Sequence, residues 1–214
     1  VIEKATGKAI AGLKYTPTVT PVTPTGEDVT STGKQGKEQT GTPKFTEGDA
    51  EVPLKVDAAQ PAKFVVNGTA VEETTIDAMK DGAKVGTYTI NPLTGEVTFI
   101  PNKDFVGTPD AVTVQVKDEN GTTATAKYTP TVTAVTPTGE DVTSTGKQGK
   151  VQTGTPKFTE GDAEVPLKVD AEQPAKFVVN GTAVEDTTID AEKDGAKVGT
   201  YTINPSTGEV TFTP

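Results

Sequence analysis

The sequence is written twice. Lys14 answers to Lys127, an offset of 113 residues (127 − 14), and the match then runs to Pro101 against Pro214. Over those 88 positions only seven differ: Pro21/Ala134, Glu38/Val151, Ala59/Glu172, Glu73/Asp186, Met79/Glu192, Leu93/Ser206 and Ile100/Thr213. Several exchange an apolar for a polar side chain, which a packed interior resists, so these positions are expected to face water. A period of 113 residues is far longer than solenoid units of about 20–50. Each copy is long enough to bury its own core, so a string of domains is expected rather than a stacked superhelix.

The register sets the boundaries. The second copy has no counterpart to Asn102–Thr133, two predicted strands, and the leading stretch VIEKATGKAIAGL, with a Thr6-Gly7 turn, stands where a preceding repeat's last hairpin would lie. The chain does not begin with Met and shows no signal-peptide pattern, so it reads as an interior fragment. The expected organisation is a last-strand remnant over 1–20, a complete repeat over 21–133 and a C-terminally truncated repeat over 134–214. The truncated copy should expose an unpaired edge and part of its core, and be the less stable of the two.

Within a repeat the pattern is that of strands. The chain holds 41 threonines against three serines. Threonine is β-branched and sits well on the solvent face of a strand, so the excess favours β structure over a polar coil. GTYTINPLTGEVTFIP (86–101) predicts a hairpin, with Tyr88 and Ile90 alternating against threonines, Val97 and Phe99 on the return, and NPLTG as the loop. AVTVQVKD places Val112, Val114 and Val116 on one face. DENG turns the chain, and TTATAKYTPTV returns with Ala124, Ala126, Tyr128 and Val132 on one side. AKFVVNGTAV (62–71) holds an Asn-Gly turn between apolar runs, and AEVPLKV is a further strand whose Pro53 marks an edge. TTIDAMKDGAK is the one helix-like segment. The fold class predicted is all-β, with tandem antiparallel β-sandwich (Ig-like) domains joined by short Thr/Pro-containing junctions.

Composition excludes more than it assigns. There is no Cys, His, Trp or Arg, so disulfides, thiolate nucleophiles, imidazole bases and nitrogen or sulfur metal ligands are absent. A net charge of −10 offers no basic patch for nucleic acid, and no apolar run is long enough for membrane insertion. The serines Ser31, Ser144 and Ser206 have no imidazole partner, STGKQGK does not satisfy the P-loop pattern, and the carboxylates are scattered over turns without a Trp platform for sugar. No catalytic residue, cofactor site or metal site is assigned, and any ligand-binding residue is unknown. Asn67, Asn120 and Asn180 each begin an Asn-Gly-Thr glycosylation pattern, but Asn-Gly also supplies the positive φ angles of a tight hairpin, which is the reading adopted. Asp118, Glu119 and Asn120, with Asp104 and Asp110 upstream, offer oxygens to Ca²⁺ yet match no known loop spacing. They read as a solvated acidic turn. A Lys–Asn or Lys–Asp amide cross-link is conceivable, with no particular pair indicated. Lys34 and Gln35 are expected to cap a surface loop.

The ordered set GTYTINPLTGEVTFIPNKDFVGT followed by AVTVQVKDENGTTATAKYTPTVT, repeated in tandem, resembles the CshA-type fibril repeat of streptococcal and related Gram-positive surface adhesins. The resemblance covers about residues 14–214. It implies an extracellular, non-enzymatic stalk or spacer module of a cell-wall-anchored fibrillar protein, holding an adhesive tip away from the bacterial surface. Host fibronectin and other microbial cells are implied as partners of regions outside this sequence, and neighbouring repeats as partners within it. The alternative is that the repeats bind fibronectin, glycans or partner-cell proteins directly, gaining avidity from copy number. A cluster of exposed aromatics shared by both copies would favour it, whereas Tyr15, Tyr88, Tyr128 and the phenylalanines fall on the strand-core pattern.

The junction TPTVTAVTPTGED (129–141), nearly repeated at 16–28, looks like a linker. Its first half continues ATAKY and should end one domain's final strand, while VTPTGED should open the next. Pro130 and Pro137 fix φ, so restrained rather than free reorientation is expected at the joint.

Overall fold

A computed structural model describes residues 2–9 and 11–214. Val1 and Ile10, part of the leading stretch, lie outside the described residues. Residues 2–9 form a turn closed by an Ile2–Ala9 bridge, and residues 11–24, including the first TPTVT, are in no strand. The chain divides into two compact units: 1–32, 38–100 and 108–131 in the first, and 33–37, 101–107 and 132–214 in the second. Among the described residues no helix forms.

Twelve strands make up the first repeat: β1 (Thr25–Glu27), β2 (Val29–Lys34), β3 (Gln39–Gly41), β4 (Lys44–Thr46), β5 (Leu54–Lys55), β6 (Lys63–Val66), β7 (Thr69–Ala70), β8 (Thr75–Lys80), β9 (Ala83–Ile90), β10 (Val97–Pro101), β11 (Val112–Asp118) and β12 (Thr123–Thr133). One sheet runs β3-β10-β9-β8. The other runs β2-β12-β11-β6-β7, with β5 also on β11. Strand pairs are antiparallel, as in Val112↔Tyr128 to Lys117↔Thr123 between β11 and β12. The alternation read from the sequence decides which side is buried. Val112, Val114 and Val116 of β11, Ala124, Ala126, Tyr128 and Val132 of β12, and Tyr88, Ile90, Val97 and Phe99 of β9 and β10 are all buried. Tyr88 packs 5.3 Å from Phe99 within its own sheet and meets the opposite inward face edge-on at Tyr128, 6.4 Å away. The result is the predicted antiparallel sandwich.

The helix-like reading of TTIDAMKDGAK is corrected. It forms β8, a turn and the start of β9, in register from Thr75↔Thr89 to Lys80↔Ala83 with a bulge at Ala78/Met79. Asp81 and Gly82 take φ of +49° and +80°, the mirror-image turn that suits strand twist, and Ala78 is buried while Thr75 and Asp77 face water. The period is two, not 3.6. The AEVPLKV strand also contracts, to Leu54–Lys55 of β5, preceded by an Asp49–Val52 bridge.

The second repeat carries β13 (Thr138–Glu140), β14 (Gln152–Gly154), β15 (Lys157–Thr159), β16 (Val178–Val179), β17 (Thr182–Ala183), β18 (Thr188–Lys193), β19 (Ala196–Ile203) and β20 (Val210–Thr213). Its β14-β20-β19-β18 sheet reproduces β3-β10-β9-β8, but of the opposite sheet only the β16-β17 pair forms. VTSTGK is a strand at 29–34 and not at 142–147. Leu54-Lys55 is a strand where Leu167-Lys168 is not. The letters are identical; what differs is the hairpin β11-β12, on which β2 and β5 pair and which the second repeat lacks.

The seven variable positions lie as expected with one exception. Pro21, Glu38, Ala59, Glu73, Leu93 and Ile100 are exposed, whereas Met79 is half-buried at a position where Glu192 is exposed.

Candidate functional site

With no thiol or imidazole in the chain, recognition rests on hydroxyl, amide, carboxylate and ammonium groups and on apolar faces. The most closely built polar node sits inside the first repeat. Ser31 of β2 donates to Gln39 Oε1 of β3 at 2.6 Å, so its single proton is spent and the Tyr128 hydroxyl, also at 2.6 Å, donates to the serine oxygen. Gln39 Nε2 donates to the Thr131 carbonyl at 3.0 Å. Tyr88 donates to the Asp110 carbonyl at 2.8 Å. Burial, then the neighbouring Tyr128 phenol and Asp110, push the Tyr88 pKa well above the usual tyrosine value of 10.0. Burial raises that of Tyr128 too, against the Ser31 hydrogen bond. Both phenols are held neutral as donors, which is a structural task.

A side chain at Gly41 would run into Cδ2 and Cε2 of Tyr128, so the ring needs a glycine beneath it. The node escaped the sequence reading. Its signal was present, since Ser31 and Gln39 recur as Ser144 and Gln152 in a chain with only three serines.

The second repeat holds half of this node. Ser144 donates to Gln152 Oε1 at 2.8 Å, and a Cβ at Gly154 would meet only Val142 Cγ2, at 3.3 Å. Tyr201 and Phe212 keep the paired-ring geometry at 5.4 Å, but Tyr201 is 40% exposed against 2% for Tyr88. A cavity of about 510 Å³ opens beside Ser144, Gln152, Gly154 and Tyr201. A second, of about 550 Å³, is lined by Phe158, Leu167, Val169, Phe177 and Ile203.

The remaining candidates fall elsewhere. Asn67 and Gly68, like Asn180 and Gly181, take the positive φ pair of a tight turn, at β6-β7 and β16-β17. At Asn120-Gly121 only the glycine has positive φ. Asp118 is not solvated, which corrects the acidic-turn reading. It is 0% exposed, because its side chain folds back to accept from Thr122 N at 2.8 Å and close the turn, while Oδ2 has no partner among the described residues. Asp104, Asp110, Glu119 and Asn120 are exposed, and among the described residues no cluster is placed to hold a metal ion. Tyr15 is 89% exposed and Phe158 64%, so neither belongs to the core that the strand pattern led one to expect. Ser206 closes a loop turn through its N–H to Asn204 Oδ1 at 3.0 Å.

Lys34 and Gln35 belong to the second unit and do more than cap a loop. Gln35 bonds Thr133 O, Val135 N and Lys103 O, and Lys34 pairs with Asp162 at 2.9 Å and Glu164 at 3.2 Å. This brings a Lys, an Asp and a Glu together in water. Hydrogen bonds donated to Asp162 and then to Glu164 raise the Lys34 pKa, and those Asp162 accepts from Lys34 and from the Glu164 amide lower its own. An ammonium facing a carboxylate is the wrong protonation state for amide formation, so the group is an ion pair.

A comparison with curated proteins finds no match. Among solved structures the chain is similar to the N-terminal eight Ig domains of Down syndrome cell adhesion molecule isoform 1.30.30, at 12% identity over 89% of this chain and 23% of that one, TM-score 0.33. It is similar also to immunoglobulin domains 1–4 of Sidekick-1, at 12% identity over 87% of this chain and 41% of that one, TM-score 0.29. It thus spans less than half of either chain. The family model for the surface adhesin CshA repetitive domain matches residues 21–132 and again 134–214, one match per repeat. The chain belongs to the CshA surface-adhesin repeat family.

Proposed function

We propose that the chain is a spacer segment of a fibrillar adhesin, anchored to the cell wall through another part of the protein and carrying an adhesive tip outward. Membership in a surface-adhesin repeat family supports an extracellular, non-enzymatic role. The observation that carries the spacer reading is the closed sandwich of the first repeat, whose large aromatics Phe64, Tyr88, Phe99 and Tyr128 are buried and whose outer strand faces are threonine and charge. Such a module is suited to length rather than recognition. Its longest strand, β12, has 11 residues, which at about 3.3 Å per residue spans roughly 36 Å. Only Ala134–Pro137 separate β12 from β13. A net charge of −10 disfavours sticking between neighbouring fibrils.

Direct binding by the repeats would call for exposed aromatics in both copies. Phe158 and Tyr201 are exposed in the second repeat, but Phe45 is half-buried and Tyr88 buried in the first, so the surface is not a property of the repeat. The spacer reading also takes fibronectin and other microbial cells as partners of regions beyond this chain.

Two measurements test it. Small-angle scattering of arrays of two, four and six repeats should show the maximum dimension growing by about 3–4 nm per added repeat. A dimension that stops growing with repeat number, or saturable adhesion of the 214-residue chain to fibronectin-coated or bacterial surfaces, would refute it.

A further inference from the structure

We propose that the first repeat carries a binding recess for a small amphipathic cation, an apolar body of one ring or a short alkyl chain bearing a protonated amine. The recess lies where the chain entering β6, the link between β7 and β8, and the β9-β10 loop come together. It encloses about 440 Å³, within the range of about 300–1,000 Å³ usual for small-ligand sites. Ala62 and Ile90, both buried, make its floor. Pro61, Val71, Pro92 and Leu93 make its walls, and Leu93 is 55% exposed at the surface. Backbone bonds tie the three segments together: Ala62 N–H donates to the Pro92 carbonyl and Ile90 N–H to the Thr74 carbonyl, each at 2.9 Å. The two wall prolines have fixed φ, so the shape is set before any ligand arrives and little ordering is left to oppose binding.

Charge decides which ligand fits. Lys63 at the rim is already paired with Glu72, so it offers no free cation to an anion. Glu73 has no ion-pair or hydrogen-bond partner among the described residues, and the lining therefore keeps one uncompensated negative charge beside an apolar hollow. An amine on an apolar body satisfies both features, whereas a carboxylate on the same body would meet Glu73 as a like charge.

The second repeat repeats the design in a shallower form. Pro174, Ala175, Val184, Ile203 and Pro205 line the equivalent recess, Lys176 pairs with Glu185, and Asp186 stands in the place of Glu73. The same two backbone bonds recur, from Ala175 N–H to the Pro205 carbonyl and from Ile203 N–H to the Thr187 carbonyl. It encloses only about 100 Å³, and Ser206, in the place of Leu93, is not part of its wall. Two of the seven differences between the copies thus concern this one feature. Glu73/Asp186 keeps the charge, and Leu93/Ser206 removes an apolar wall. The recess is independent of the spacer reading, since a stalk domain can hold a small ligand without adhering to a surface.

The test titrates the whole isotope-labelled chain with 2-phenylethylammonium and follows backbone amide chemical shifts. Saturable shifts are expected at 58–63, 71–74 and 90–93, with little response at 171–176, 184–187 and 203–206. The uncharged 2-phenylethanol should bind about fivefold more weakly, and 3-phenylpropionate more weakly still. Glu73→Gln should weaken the amine about fivefold and leave 2-phenylethanol unchanged, a difference that unfolding would not produce. Leu93→Ser, which installs the residue found at 206, should weaken both by about fivefold or more through lost apolar contact. Absence of saturable shifts, equal binding of the three probes, amine binding unaltered by Glu73→Gln or by Leu93→Ser, or an equal response in the two repeats would each overturn the proposal.

Discussion

At the residue scale the duplicated sequence supplies its own controls. Gly41 and Gly154 are the same letter in the same local sequence, yet a Cβ meets the Tyr128 ring at one and only Val142 at the other. Gly41→Ala should destabilise the first repeat by about 1–3 kcal/mol through overpacking. Gly154→Ala should change stability little, and urea melts of the two variants would separate them. The buried phenols give a second prediction. Folding raises the pKa values of Tyr88 and Tyr128, so it favours their neutral forms. That stability is fully present below the unfolded tyrosine value of about 10 and is lost as pH climbs above it. The wild-type chain should therefore lose stability steeply above about pH 10. Tyr88→Phe and Tyr128→Phe, followed by circular dichroism against pH, should each shallow that loss. A slope unchanged in both variants would show that the phenols are not its source.

At the scale of elements, most hairpins were legible because their signals are local. Asn67-Gly68 and the NPLTG loop name their turns, and valine alternation in β11 names its buried face. TTIDAMKDGAK was misread because its Asp81-Gly82 turn falls inside a stretch whose apolar residues fit either period. Gly82→Val, at φ +80°, should cost about 1–2 kcal/mol, as should Gly195→Val at +78° in the equivalent hairpin. A cost near zero at both would mean the turn is not under left-handed constraint. Two other stretches were illegible in principle. VTSTGK forms a strand at 29–34 and none at 142–147, since strand formation there depends on β12, roughly 100 residues away. Native-state hydrogen exchange should show protected amides in the first stretch and near-unprotected ones in the second.

At the scale of the whole molecule, the two repeats should not melt together. The first closes its sandwich, while the second leaves Phe158, Leu167 and Tyr201 exposed and lacks four of the five pairings that hold the opposite sheet. Calorimetry should resolve two transitions, with the second repeat unfolding at least about 10 °C below the first. Attaching a copy of residues 102–133 after Pro214 should merge them. A single transition in the unmodified chain would contradict the assignment of the missing hairpin as the source of the difference.

What the sequence by itself determined is the part carried by short-range chemistry: the 113-residue period, the strand faces, the turns at Asn67-Gly68 and Asn91–Gly95, and the family. Backbone preference and alternation act over a few residues, so they can be read a few residues at a time. Only the tertiary structure decided which identical segments become strands, that Asp118 turns inward, and that Ser31, Gln39 and Tyr128 meet in one node. Those outcomes depend on a partner strand far along the chain, and a strand with unpaired backbone and an uncovered apolar face is not held by its own letters.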